Sequence, residues 1–244
     1  MLVGWEMKCS LWHRGFVLAG CFGVLEANEP SVLRAGGAAK PENGIVSSET
    51  IRPTTPTIDD AIAKGDLEDV KRHLAAEPTS LKQSAKPNGK TPIEQAVLRN
   101  KTDIALHLIQ AGADVDVSQT AKRTLLHIAI DRNNPVLITA LLKAGVNPHV
   151  KDMNGWTPMH HAGAKNQLAT MTALLDGGAN PMTLSDLGGT PLHEAAASGK
   201  KEIIALLLKH KTDPEIRSTE GVTAYDIAVK YQNADAIEAL KPFE

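Results

Sequence analysis

Thr190-Pro191-Leu192-His193-Glu194-Ala195 is the stretch from which the rest of this chain is read. It returns, at one constant interval, as Thr91-Pro92-Ile93-Glu94-Gln95-Ala96, Thr124-Leu125-Leu126-His127-Ile128-Ala129, Thr157-Pro158-Met159-His160-His161-Ala162 and Thr223-Ala224-Tyr225-Asp226-Ile227-Ala228. Threonine before proline starts a helix: the hydroxyl caps the first turn, and proline at the first helical position gives up an amide proton that has no partner there. In Thr91-Pro92-Ile93-Glu94 the glutamate returns the hydrogen bond as a capping box, and His127, His160 and His193 occupy that place in three other units. Gly199 reads as a left-handed exit from the first helix, with Asn100, Asn133 and Asn166 at the equivalent positions. A second helix follows, with Ile204, Leu207 and Leu208 at i, i+3 and i+4, matched by Ile138, Leu141 and Leu142, by Met171, Leu174 and Leu175, and by Ala105, Leu108 and Ile109. Gly112-Ala113-Asp114, Gly145-Val146-Asn147 and Gly178-Ala179-Asn180 end it. Asp152-Met153-Asn154-Gly155 and Asp186-Leu187-Gly188-Gly189 then have the chemistry of tight turns.

The fixed interval from Thr91 to Thr124, and from each of these threonines to the next, carries Thr-Pro-Leu-His-x-Ala and resembles the repeat of the ankyrin-repeat family. The resemblance implies an all-α ankyrin-repeat solenoid of helix-loop-helix-hairpin units, stacked with a concave face and binding partners through that face and the hairpin tips. It also implies that the in-register histidines are structural and bridge neighbouring turns by hydrogen bonds. Six units are expected over residues 56–244. The first, through Ile58 to Leu74, lacks the motif; in the last, Gln232 replaces Gly or Asn and Lys241 falls on an apolar position, so both ends read as capping repeats. The third unit departs most: Leu125 replaces proline, Lys122 replaces the turn glycine and Pro135 enters the first turn of the second helix, where it is tolerated. Its hairpin, Gln119 to Arg123, is either a weak point or a specificity element.

Composition points the same way. Aromatic residues are 3% of the chain, which suits thin helical layers packed through small and branched side chains. With 26 basic and 28 acidic residues the net charge is −2, so there is no global pull toward nucleic acid or an acidic membrane. The two cysteines, Cys9 and Cys21, precede the repeats, which leaves the repeat domain without a disulfide or a cysteine-based metal site.

Residues 1–27 read as a signal peptide or lipoprotein leader: Lys8, His13 and Arg14, then the apolar run Gly15 to Leu25, then the small Ala27. Leu18-Ala19-Gly20-Cys21 also resembles a lipobox, which would put a lipid anchor on Cys21; a start at Met7 is the third reading. The apolar run falls short of the roughly 20 residues that span a bilayer as a helix. The leader implies a secreted or periplasmic location, with the cytoplasm as the alternative. Residues 28–55 mix Gly, Pro, Ser and Thr without a period and read as a flexible linker.

No catalytic, cofactor or metal site is expected. Equivalent histidines of stacked repeats lie about 10 Å apart, too far for one ion. His149 and His161 have no second ligand at the spacing of H-E-x-x-H, and neither a nucleophile elbow nor a phosphate loop is present. The variable columns carry the functional expectation. Just before the left-handed position stand Lys64, Arg99, Arg132, Lys165, Ser198 and Tyr231; just before the repeat threonine stand Lys90, Arg123, Trp156, Gly189 and Val222. Two rows thus begin basic and turn neutral, and Trp156 sits at a tip either as a partner anchor or as a cover for the next repeat. The expected function is a monomeric, non-catalytic protein-interaction module for an acidic protein partner, through Lys64, Lys90, Arg99, Arg123, Arg132, Trp156 and Lys165. An architectural, self-associating envelope component is the alternative, and a hydrolase using His149, His160 or His161 a remote one.

Overall fold

The computed structural model describes residues 52–82, 89–116 and 122–241. The leader, most of the linker and Gln119 to Ala121 of the third-repeat hairpin lie outside the described residues. Among the described residues, twelve α-helices fall into six pairs: α1 (Ile58–Lys64) with α2 (Leu67–Ala76), α3 (Pro92–Leu98) with α4 (Thr102–Gln110), α5 (Leu125–Asp131) with α6 (Pro135–Lys143), α7 (Pro158–Ala164) with α8 (Leu168–Asp176), α9 (Pro191–Ser198) with α10 (Lys201–Lys209), and α11 (Ala224–Lys230) with α12 (Ala234–Leu240). Each first helix packs on the first helices of its neighbours, and each second helix on the second helices. At seven to ten residues none would hold its shape in water, so stacking is what makes them helices.

The columns explain the stacking. Ala96, Ala129, Ala162, Ala195 and Ala228, the alanines that close the motif, are fully buried, and their small size lets successive first helices approach. Between α7 and α9 the approach is tight enough that a Cβ on Gly163 would stand 2.8 Å from the Pro191 carbonyl oxygen. Second helices bury their branched residues, among them Leu108, Leu137, Leu141, Leu174, Ile204 and Leu207. Among the described residues, no helix is long and apolar enough to cross a membrane.

The expected caps form. Thr91 and Glu94 make a capping box, with the Thr91 N–H donating to Glu94 Oε2 at 2.6 Å, and Thr223 and Asp226 repeat it at 2.8 Å. Asn100, Asn133, Asn166 and Gln232 take the left-handed conformation at φ 49 to 56°. Gly199 corrects the reading of that column: its φ is −77° and its ψ 156°, because α9 runs one residue further, to Ser198, before the chain turns. Glycine is needed there for closeness instead, since a Cβ would meet Ala195 O at 2.5 Å and Ile203 Cγ2 at 2.9 Å. Lys122 does adopt the left-handed conformation of the turn glycine it replaces, at φ 56° against 75° for Gly155.

The first pair carries a cap of its own. The buried Asp69 carboxylate accepts the N–H of Thr54 (2.6 Å) and of Thr55 (2.9 Å) and the Thr55 hydroxyl (2.6 Å). Thr54 and Thr55 therefore belong to the folded unit, although their composition reads as the end of the linker. Burial alone would raise the Asp69 pKa, but these hydrogen bonds outweigh it and hold the carboxyl well below the usual range.

Candidate functional site

The hairpins are built alike. Asp152 N–H donates to the Trp156 carbonyl at 2.9 Å, Ser185 N–H to Gly189 at 2.8 Å, and Ser218 N–H to Val222 at 2.9 Å, one repeat apart each time. Behind them runs a line of histidines. In His127, His160 and His193 the Nδ1 accepts the N–H of the capping threonine at 3.1, 3.2 and 3.1 Å. The neutral ring then carries its proton on Nε2, which faces the carbonyl closing the next hairpin: Trp156 O (3.4 Å), Gly189 O (3.0 Å) and Val222 O (3.3 Å). Each ring thus ties a helix start to the following tip. Burial lowers the pKa of His127 and of His160 to about 4 and pulls His193 down as well, so the rings stay neutral.

Between successive tips, above the first helices, lie two clefts in register. The first, about 500 Å³ and open to solvent, is lined by Met153, Asn154 and Trp156 of one tip, Asp186 and Leu187 of the next, and His161 of α7. Its floor is held by the Asp152 carboxylate. His161 Nε2 stands 2.9 Å from Asp152 Oδ2, while Asp152 Oδ1 accepts the N–H of Asn154 (2.8 Å) and of Trp156 (3.1 Å). The Trp156 ring meets His161 edge-on at 5.1 Å and stacks along His160 at 6.4 Å, leaving the indole half-buried as a wall of the cleft. The second cleft, about 130 Å³, lies between Ser185, Leu187 and Gly189 of one tip and Ser218, Glu220 and Val222 of the next, over His193 and Glu194 of α9 and Ile227 of α11. Glu194 occupies the position of His161, and Ser185 that of Asp152.

Three overlapping matches to the family model for ankyrin repeats cover residues 58–152, 93–183 and 167–242. The chain belongs to the ankyrin-repeat family. Ankyrin repeats are in general protein-interaction modules, and what a given one binds is set by its surface residues. No curated protein matches this ankyrin-repeat chain.

The basic residues singled out in the sequence are placed unevenly by the stack. Lys64, Lys90, Arg99, Arg132 and Lys165 are exposed and Arg123 is half-buried. Arg99 reaches Gln95 Oε1 at 2.9 Å within its own helix. Arg123 Nη2 and Lys165 Nζ both hold Asp131, at 2.6 and 2.7 Å, so one carboxylate from the end of α5 offsets two cations of the two rows. Burial opposes the charge on Asp131, yet the two cations keep its pKa below the usual carboxylate range. Lys64, Lys90 and Arg132 make no ion pair among the described residues.

One cluster was not legible from spacing. His127, Asp152 and His161 bring a ligand atom each within 4.8 Å of one another. The donor set nevertheless does not fit a metal. His127 spends Nδ1 on the Thr124 N–H and must keep its proton on Nε2, whereas a zinc ligand needs a free lone pair about 2.0–2.1 Å from the ion. The cluster is a hydrogen-bonded support for the Trp156 tip.

Proposed function

We propose that this ankyrin-repeat domain is a non-catalytic module that binds a protein partner across its hairpin tips and the first-helix residues between them. The observation that carries the reading is where apolar surface is exposed. Of eight large apolar side chains left exposed among the described residues, Met153, Met182, Leu184 and Leu187 belong to two successive hairpins. Met153 is 69% and Leu187 65% exposed, and they flank the half-buried Trp156 around one cleft. A cluster of this kind, with an aromatic wall, has the character of an interface centre, where a few residues carry most of the binding energy. The basic residues Lys64, Lys90, Arg99 and Arg132 lie to the N-terminal side and favour an acidic region on the same partner, adding to association rate more than to affinity. A leader over residues 1–27 would deliver the module outside the cytoplasm, as a secreted or periplasmic protein.

The test is affinity capture with the full chain, followed by calorimetry on the partner recovered. Met153→Glu with Leu187→Glu is expected to weaken binding at least tenfold while the melting temperature stays unchanged. Arg99→Glu with Arg132→Glu is expected to slow association and to reduce its dependence on salt. Unchanged affinity in the Met153 and Leu187 variant, with an intact fold, would remove the reading.

A further inference from the structure

The two clefts share a backbone and differ in what their floor residue can bind. In the first, Asp152 Oδ2 engages the ring of His161 at 2.9 Å. In the second, Ser185 stands where Asp152 would, and its hydroxyl accepts the Gly189 N–H at 3.1 Å. Glu194 is left half-buried, with no hydrogen bond or ion pair among the described residues. The walls beside it are Leu187, Val222 and Ile227, and no lysine or arginine lines the cleft. The other titratable groups there are His193, already spent on Thr190 and Val222, and the exposed Glu220 at the tip. Burial alone raises the Glu194 pKa to about 7, the mark of a carboxylate whose lost hydration has not been replaced.

Size and polarity narrow the occupant. About 130 Å³ is well below the roughly 300 Å³ at which small-molecule sites begin, so the space suits one side chain. Apolar walls over the half-buried Glu194 carboxylate, with the exposed Glu220 at the rim, match a side chain with an aliphatic stem and a cationic head, which buries the stem and pairs the charge. We propose that the cleft between residues 185–189 and 218–222 receives a lysine or arginine side chain of the bound protein, its stem along Leu187, Val222 and Ile227 and its charge on Glu194. The inference rests on the tips being the docking surface, and it deepens that reading. The partner then carries acidic residues toward Arg99 and Arg132 and a basic one at Glu194, and this polarity fixes the direction in which it lies along the stack.

The probes are two blocked tripeptides, acetyl-Leu-Arg-Leu-amide and the same peptide with citrulline, the uncharged isostere of arginine. Both are titrated at low ionic strength into the isotopically labelled full chain and followed by NMR. The arginine peptide is expected to move the signals of Leu187, Glu194 and Val222, to lower the Glu194 carboxyl pKa, and to bind at least tenfold more tightly than the citrulline peptide. Glu194→Gln keeps the shape of the residue and is expected to abolish the preference. Equal affinity for the two peptides, a preference that survives in Glu194→Gln, or no movement of these signals with either peptide would each overturn the inference. None of these results would touch the docking reading, which stands or falls on Met153 and Leu187.

Discussion

The cleft floored by His161 and the cleft floored by Glu194 lie one repeat apart in sequence, on the same turns and the same line of buried histidines. In the first, both oxygens of the floor carboxylate are engaged: Asp152 accepts from two backbone N–H groups and meets the His161 ring. Replacing that aspartate by Ser185 and that histidine by Glu194 keeps the hairpin closed but leaves a carboxylate without a partner among the described residues. A repeat fold can therefore change what it offers a ligand by exchanging two side chains, provided the residue that closes the tip still satisfies its own backbone. The first cleft is hydrogen-bonded and aromatic, the second open for a charge.

What the clefts share should respond most strongly to pH. His127 and His160 have pKa values of about 4 in the folded chain against an ordinary 6.5, so the unfolded chain takes up protons that the folded chain refuses. Their stabilisation is complete above pH 6.5 and is lost as the pH falls toward 4, on the order of 3 kcal/mol for each ring. Glu194 acts in the opposite sense. Its pKa, raised to about 7 from an ordinary 4.5, makes its contribution complete below pH 4.5 and lost as the pH rises through 7. Two rings outweigh one carboxyl, so urea unfolding should show stability rising between pH 4.5 and 6.5. Glu194→Gln should make that rise steeper; an unchanged slope would mean that Glu194 is not desolvated.

The next effect separates the clefts. Asp152→Ala leaves the N–H groups of Asn154 and Trp156 and the His161 ring without their acceptor, and should cost about 3 kcal/mol. Ser185→Ala removes one acceptor, for the Gly189 N–H, and should cost about 1 kcal/mol. Equal losses in chemical denaturation would contradict the claim that the first cleft is the more tightly braced. Gly163→Ala tests the packing beneath both. Its Cβ would press on the Pro191 carbonyl, forcing α7 and α9 apart at a cost of about 1–2 kcal/mol, and thermal unfolding should show it. A neutral outcome would show that the two first helices are free to separate.

Much of the fold is legible in the sequence. Capping threonines, the Asn residues at 100, 133 and 166 and the apolar spacing of the second helices mark the helix pairs, because local hydrogen bonds and burial act over a few residues. The structural role of His127, His160 and His193 is implied by the resemblance to the ankyrin repeat, and spacing alone does not give it. The left-handed reading of Gly199 fails because glycine also serves where neighbouring atoms leave no room for a Cβ, and sequence does not separate the two uses. Asp131 is hidden for a different reason: it sits beside Arg132 in sequence but meets Arg123, eight residues before it, across α5, and Lys165, 34 residues after it, only once the repeats stack. The clefts are hidden likewise, since each is shared by two hairpins and the helix residue between them. Trp156 is visible as a tip residue, but its placement against His160 and His161 needs the fold.

In the proposed complex the partner lies across the tips and the clefts between them. Hydrogen exchange of the full chain, with and without the captured partner, tests this placement most directly. Slowed exchange is expected in residues 152–156, 185–189 and 218–222, with little change in α8 and α10. Protection centred on α8 and α10, with the tips exchanging as in the free chain, would contradict it.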